Sequence, residues 1–324
     1  MDKTRFLADA GIEKPIICGA MYPCSNPELV AAASEAGGIG IIQPLSLVYV
    51  HGYDFLEGLK YMKTLTSKPL GMNVIVEKSS KVYEDRMKKW VDVAIEEGVR
   101  FFVTSLGDPS WVVEKARKVG GHVYHDVTSG KWAQKAMRAD ISGIICVNDR
   151  AGGHAGDKSM KTLFDEVSNA GLPVIAAGGI SSAREVKEAL DLGYQGVQLG
   201  TRFIATTECS AHDDYKKAIV AANEEDIVLT EKISGVPVSV IKTKFIQKIG
   251  TKASPVAKFL LKGRKTKHYM RLYYTLKSLF QLKKASKQGS SYKDYFQAGK
   301  SVKNIHSVMS VSEVMAELTK ELKH

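Results

Sequence analysis

Disulfide chemistry has little to work with in this chain. Its 324 residues hold four cysteines, Cys18, Cys24, Cys146 and Cys209, with no CxxC and no paired spacing. Scattered cysteines in a chain of this size exclude a disulfide scaffold and point to reduced thiols and a cytoplasmic setting. No stretch reaches the roughly 20 apolar residues of a membrane-spanning helix. The opening MDKTRFLADAGIEKP has no apolar core of the kind a secretory signal needs. Gly-Lys-Ser/Thr, HExxH and GxSxG motifs are all missing, which argues against a triphosphate loop, a zincin and a serine elbow. His122, His125, Asp126 and His154 fall in no metal-ligand spacing, so no metal is expected. Cys24 has no partner base in its neighbourhood that would mark a nucleophile. Acids are missing from one region: between Lys242 and Lys303 seventeen Lys/Arg face Asp294 alone, a local net of +16 within a total of +11, which leaves the rest at −5. Such a surface attracts phosphates, nucleic acid, anionic lipid or an acidic protein, or is simply a solvated Lys-rich helical face.

What is present is a rhythm. Short apolar, β-branched runs occur at Pro15–Ala20, Ile39–Pro44, Pro69–Val76, Phe101–Gly107, Gly121–Thr128, Gly143–Asn148, Pro173–Ile180 and Gly196–Phe203. Nearly continuous apolar runs are what parallel strands buried on both faces require. Amphipathic helices read between them at Asn26–Ala36, Tyr83–Glu97, Ser110–Val119, Lys131–Ala139, Ser159–Ala170 and Ser182–Leu192, many stopped by glycine. Eight βα units in about 200 residues predict a closed (β/α)8 TIM barrel rather than an open doubly wound sheet. After Phe203 the rhythm stops. Helical patterns at Asp213–Asn223, Ala257–Leu261 and His268–Leu282, with no further βα pair, predict a basic helical cap over residues 208–298, inserted after strand eight. Residues 1–207 would be the barrel, and 299–324 would return to it with an eighth helix at Val311–Leu322.

In such barrels chemistry sits where strands end. Gly19-Ala20-Met21 follows strand one and lets a planar group approach the backbone. Asn73 on strand three offers an amide to a heteroaromatic edge. Gly178 and Gly179 after strand seven, and Gly200 and Thr201 after strand eight, stand beside a helix start, the usual barrel phosphate nest. The same glycines could serve only as tight turns. His154, between Gly153 and Gly156 on the strand-six loop, is placed to take a carbon-bound proton or hold an anion near neutrality. His51, His122 and His125 are weaker candidates, and for His122 and His125 a structural hydrogen bond is the plainer reading.

Taken together, Pro15–Met21, Gly71–Asn73, Ala151–Gly156, Ala176–Ile180 and Gly196–Phe203, in this order, resemble the nitronate monooxygenase (2-nitropropane dioxygenase-like) family, a relative of the flavin-type enoyl-acyl-carrier-protein reductase. Glu208–Tyr215, Asp226–Thr230, Ser234–Pro237, Gln297–Gly299 and Ile305–Ser307 add to the likeness. The resemblance implies a non-covalent FMN at the barrel mouth, with Gly19, Ala20 and Met21 against the ring and Asn73 at its polar edge. Gly153, Gly178, Gly179, Gly200 and Thr201 would serve the cofactor, and His154 would be the active-site histidine. It implies oxidation of alkyl nitronates or nitroalkanes with O2 to carbonyl compound and nitrite, and leaves room for a homodimer.

Two departures from the family bear on the substrate. Val147-Asn148-Asp149-Arg150 precedes the histidine, and His125-Asp126 follows strand five; both are expected to line the pocket. An NAD(P)H-dependent enoyl-thioester reductase is the alternative, its basic cap suited to an acidic carrier protein or the phosphates of coenzyme A. A barrel that binds nucleic acid or a membrane surface without chemistry is the third reading. It rests on the aromatics His268, Tyr269, Tyr273, Tyr274 and Phe280 among the cations, which at helical spacing more often belong to a cap core.

Overall fold

The computed structural model describes residues 4–77, 81–233, 235–252, 266–289 and 295–322. Eight strands pair in sequence order as a closed parallel barrel: β1 (Ile16–Cys18), β2 (Ile39–Ile42), β3 (Leu70–Val76), β4 (Phe101–Leu106), β5 (His122–Val127), β6 (Gly143–Val147), β7 (Val174–Ala177) and β8 (Gly196–Leu199). Closure is made by β1 on β8, with Ile17 opposite Gln198. Inward positions alternate with outward ones, as the pleat demands. Ile17, Ile39, Ile41, Phe101, Val103, Tyr124, Ile145, Ile175 and Ala177 form one buried cluster inside the barrel. The intervening residues belong to a second, larger cluster under the helices.

The short helix α1 (Arg5–Ala10) plugs the N-terminal end. Thr4 caps it by accepting from the Leu7 N–H, and Gly11 ends it at φ +66°. Its Phe6 packs against Phe101 and Tyr124, with ring centroids 6.1 and 5.8 Å apart. The Tyr124 hydroxyl donates to Asp9 Oδ2 at 3.0 Å, so the polar end of that ring is satisfied. With this end sealed by aromatics, the barrel interior opens only at the C-terminal ends of the strands.

The outer ring is α2 (Pro27–Glu35), α3 (Phe55–Leu65), α4 (Lys81–Glu96), α5 (Ser110–Arg117), α6 (Gly130–Met137), α7 (Met160–Val167) and α8 (Ala183–Asp191). Helix α9 (Thr201–Ile204) follows β8, and then the insertion begins with α10 (Asp213–Ala221). Here the structure corrects the sequence reading. The insertion holds an antiparallel hairpin, β9 (Ile227–Thr230) with β10 (Val238–Ile241), where only helices are expected. Two four-residue strands set among Glu and Lys offer too little apolar periodicity to stand out. Helices α11 (Lys244–Ile249) and α12 (Thr266–Gln288) follow. The expected helix at Ala257–Leu261 lies outside the described residues. Helix α13 (Val311–Thr319) starts on a Ser310/Glu313 capping box and buries Val311, Val314, Met315 and Leu318 between α2 and α8, which completes the ring. Among the described residues no helix is long and apolar enough to cross a membrane.

Candidate active site

The loops after β1 and β8 lie side by side. Gly19 donates its N–H to Leu199 O at 2.9 Å, extending the barrel ladder by one residue. A Cβ on Gly19 would stand 3.0 Å from Gln198 Cγ, and one on Gly200 would meet only Met21, its sulfur at 3.5 Å. Gly19, Ala20 and Met21 therefore face Gly200 and Thr201 across a narrow gap. Thr201 Oγ1 accepts the Gly299 N–H at 2.9 Å. One lone pair is thereby used, and the hydroxyl proton is left to donate.

The β7 loop turns on two glycines in the left-handed half of backbone space, Gly178 at φ +115° and Gly179 at φ +75°. Its helix starts on a Ser182/Glu185 capping box, and Glu185 Oε2 also accepts the Ser181 N–H at 2.8 Å. With those two serine amides satisfied by Glu185, the N–H groups of Gly179, Ile180, Gly200 and Thr201 meet no protein acceptor among the described residues. Four N–H donors on neighbouring loops after β7 and β8, and one hydroxyl proton, can serve an oxyanion there. Ile180 was not singled out from sequence, because an apolar side chain hides the use of its backbone.

The β6 loop carries His154. Asn148 fastens it to the β7 loop: its Oδ1 accepts the Arg150 N–H at 2.8 Å and its Nδ2 donates to Gly178 O at 2.9 Å. The Arg150 side chain passes against Gly179 and meets Glu224 in a two-armed pair, both arms 2.7 Å. Gly153 O accepts the Ser239 N–H of β10 at 2.7 Å, so the hairpin holds the other side of the loop. Between these anchors His154 is exposed and makes no hydrogen bond among the described residues. Desolvation by the surrounding protein lowers its pKa from the ordinary 6.5, so the neutral imidazole, a proton acceptor, prevails at neutral pH.

The floor of the mouth is set by the inward residues that remain partly exposed, since a barrel sealed at its other end can expose them only upward. These are Ser105, Asp126, Val147 and Gln198, with Ala20 above them. Asn73 lies lower, 8% exposed, and donates to Val103 O at 3.2 Å. Asp126 Oδ1 and Gln198 Oε1 are buried and have no hydrogen-bond partner among the described residues. Burial pushes the Asp126 carboxyl up to about 7, and contact with the Gln198 side chain pulls in the opposite direction.

Three sequence expectations are corrected here. His125 does not line the pocket: it points outward, 4% exposed, with Nδ1 2.8 Å from Thr104 Oγ1. Thr104 spends its proton on Tyr124 O, so His125 donates from Nδ1. Burial takes its pKa down to about 4. Asn148 and Arg150 likewise anchor loops and do not face the pocket, leaving Val147 and Asp126 as the two departures that do. Cys24 has a neighbour after all in Cys209, whose thiol contacts Cys24 O at 3.6 Å, but both are fully buried. His122 lies 3.5 Å from Asp9 at the sealed end. His51 is half-buried, its pKa lowered to about 4 by burial and by Lys287.

Helix α12 lies beside this mouth. The Tyr22 hydroxyl, from the β1 loop, donates to Leu279 O at 2.8 Å, and Lys283 Nζ donates to Tyr49 O. Of its aromatics, Tyr274 is buried and Phe280 is 55% exposed under Lys284. The other three lie outside the described side chains.

Residues 3–321 match the family model described as nitronate monooxygenase. A (3aS,4S,5R,7aS)-5-hydroxy-7a-methyl-1-oxo-octahydro-1H-indene-4-carboxyl-CoA dehydrogenase of Rhodococcus jostii is 29% identical over 240 residues, 74% of this chain. The chain spans 65% of that relative's length, just under two thirds. A probable nitronate monooxygenase of Staphylococcus saprophyticus is 29% identical over 289 residues, 76% of this chain and 80% of the relative. Among solved structures, FabK from Thermotoga maritima superposes with a TM-score of 0.80 at 30% identity, covering 99% of this chain and 96% of that one. With one family model spanning nearly the whole chain, this protein belongs to the nitronate monooxygenase family.

Proposed function

We propose that the protein is an FMN-dependent oxidoreductase of the nitronate monooxygenase type, oxidising alkyl nitronates or nitroalkanes with O2 to carbonyl compound and nitrite. The observation that carries this reading is the unsatisfied donor set of the β7 and β8 loops opening into the same mouth as an exposed, neutral His154. The residues fit the cofactor. Gly179, Ile180, Gly200 and Thr201 would hold the phosphate with backbone N–H groups and one hydroxyl, and Gly19, Ala20 and Met21 leave room for a flat ring. Gly153 and Gly178 would shape the loops around it, and Asn73 lies deeper on the same side. FMN supplies the electron acceptance that no side chain here provides. His154 would take the α-proton of a nitroalkane, or donate a hydrogen bond to the nitro group of a nitronate, without carrying a charge of its own.

A second reading has a specific observation in its favour. Lys283, Lys284 and Lys287 of α12 stand beside the mouth, where they would meet the phosphates of a coenzyme A thioester or an acidic carrier protein. In that case the substrate is a thioester, reduced with NAD(P)H or oxidised next to its carbonyl.

An anaerobic titration separates the two. Purified protein should be yellow, and its visible flavin band should bleach with an alkyl nitronate and not with NADH or NADPH. Bleaching by a nicotinamide, or by a saturated acyl-CoA, and not by nitronate would replace the first reading with the second. A colourless protein that binds no added FMN would end both.

A further inference from the structure

The barrel interior above Tyr124 carries one ionisable side chain, and it is an acid. The inward positions of the eight strands are Ile17, Ile39 and Ile41, Gly71, Asn73 and Ile75, Phe101, Val103 and Ser105, Tyr124 and Asp126, Gly143, Ile145 and Val147, Ile175 and Ala177, and Gly196 and Gln198, with His122 below Tyr124 at the sealed end beside Asp9. None is a lysine or arginine. Asp126 and Gln198 are on β5 and β8, with β6 and β7 between them around the wall. Both remain partly exposed toward the mouth, and the Gln198 side chain runs directly under Gly19. Each also has one buried oxygen with no partner among the described residues.

An orphaned buried acceptor costs about 1–3 kcal/mol, and one on each of two interacting side chains would be an odd feature of a finished core. One proton removes the conflict, because a neutral Asp126 can donate where an ionised one cannot. We propose that Asp126, supported by Gln198, is the polar floor of the cofactor pocket and a positioning residue whose charge is coupled to the redox state of the bound ring. The proposal rests on the FMN reading above.

The coupling is electrostatic. Two-electron reduction adds negative charge to a flavin ring at neutral pH, and in a dry pocket a carboxylate nearby opposes it strongly. The reduced enzyme therefore favours the neutral acid. The electrons come from the reductant. One proton goes to the ring, and where Asp126 was ionised a second goes to its carboxyl. Near pH 7 the group is poised for this, since burial, opposed by the contact with Gln198, holds the carboxyl at about 7. The ionisable neighbour that senses it is Cys146 on β6, whose thiol is pushed up to about 12 and stays neutral. No cation acts on Asp126 among the described residues.

The test is the midpoint potential of bound FMN, measured by dye equilibration between about pH 5.5 and 9 in the wild type and in Asp126→Asn. The wild-type potential should fall more steeply with pH above neutrality than that of the Asn variant, the two converging at acid pH. A Gln198→Met variant, which removes the amide that favours the ionised carboxyl, should move the break to higher pH. Superimposable profiles in proteins that all hold FMN would overturn the proposal and leave the FMN reading intact. Failure of the wild type to bind FMN at any pH would remove the FMN reading and the floor with it.

Discussion

Gly178 gives the sharpest test of how the cradle is built. It sits at φ +115°, where a residue with a side chain is strained by about 1–3 kcal/mol. Its missing Cβ does not point into the cradle. An added methyl would stand 2.3 Å from Asn148 Oδ1, 2.8 Å from Ala151 N and 2.9 Å from Ala151 Cβ. Two of those atoms are close to the main chain and cannot swing away, so Asn148 has to leave. Its departure breaks the bonds to Arg150 N and Gly178 O, each worth about 1 kcal/mol net. Gly178→Ala should therefore cost about 3–5 kcal/mol, a fall of roughly 150- to 4,000-fold in the folding constant. Gly200→Ala is the control. It sits at φ −117°, and its methyl would make only ordinary contact with Met21, at 3.5 and 3.6 Å. That variant should fold within about 1 kcal/mol of the wild type and yet bind FMN more weakly, because the methyl occupies the open gap. Urea unfolding and FMN titration of the two proteins separate the effects. A Gly178→Ala protein as stable as wild type would refute the fastening role of Asn148. A Gly200→Ala protein with unchanged FMN affinity would refute the place given to the cradle.

His154→Ala should keep its FMN and lose about 100- to 10,000-fold in turnover, the usual worth of a positioned base. In the wild type the acid limb of kcat/KM should lie below pH 6.5, since the residue must be neutral to act and desolvation lowers its pKa. Stability should also depend on acid. His125 has a folded pKa of about 4 against 6.5 unfolded, so the unfolded chain takes up the proton first. Its contribution is complete above about pH 6.5 and is lost as pH falls toward 4, up to roughly 3 kcal/mol. Unfolding free energies of the wild type and His125→Gln across that window should converge at the acid end, and parallel curves would contradict the assignment.

The strands were legible because each is an apolar run bounded by helices, and the structure places all eight within two or three residues of where the sequence puts them. The exception is length: Gly196–Phe203 reads as one run, but β8 stops at Leu199 and Thr201–Ile204 turns into α9. Gly200 at ψ −71° bends the chain there, and apolarity alone cannot show that. The rim residues were legible for a related reason, since glycines after strands seven and eight have few other uses. What the sequence hides is pairing. Asn148 looks like a pocket residue until its two bonds to neighbouring loops are seen. His125 and Asp126 are adjacent in sequence, but the pleat sends one outward to Thr104 and the other into the barrel. Gln198 acquires its meaning only on closure, which brings β8 across from β5.

Closure also explains why the segment around Gly299 belongs to the site although it lies about 100 residues after β8. Gly299 donates to Thr201 Oγ1, Lys300 donates to Arg150 O at 2.9 Å, and Phe296 O accepts from Ile241 N at 2.9 Å. Tyr215, stacked on Phe296 with centroids 4.5 Å apart, donates to Gln297 O. The returning chain is thus wedged between the β6 loop, the β8 loop, α10 and the hairpin. It fits only because position 299 has no side chain: a Cβ there would be 2.7 Å from both Arg150 O and Gly152 N. The consequence is chemical as well as mechanical. Gly299 occupies one lone pair of Thr201 and leaves its hydroxyl proton able to donate, as an oxyanion would require. By bracing the main chain of the loop that carries His154, the same segment also fixes where that imidazole stands relative to the β8 loop.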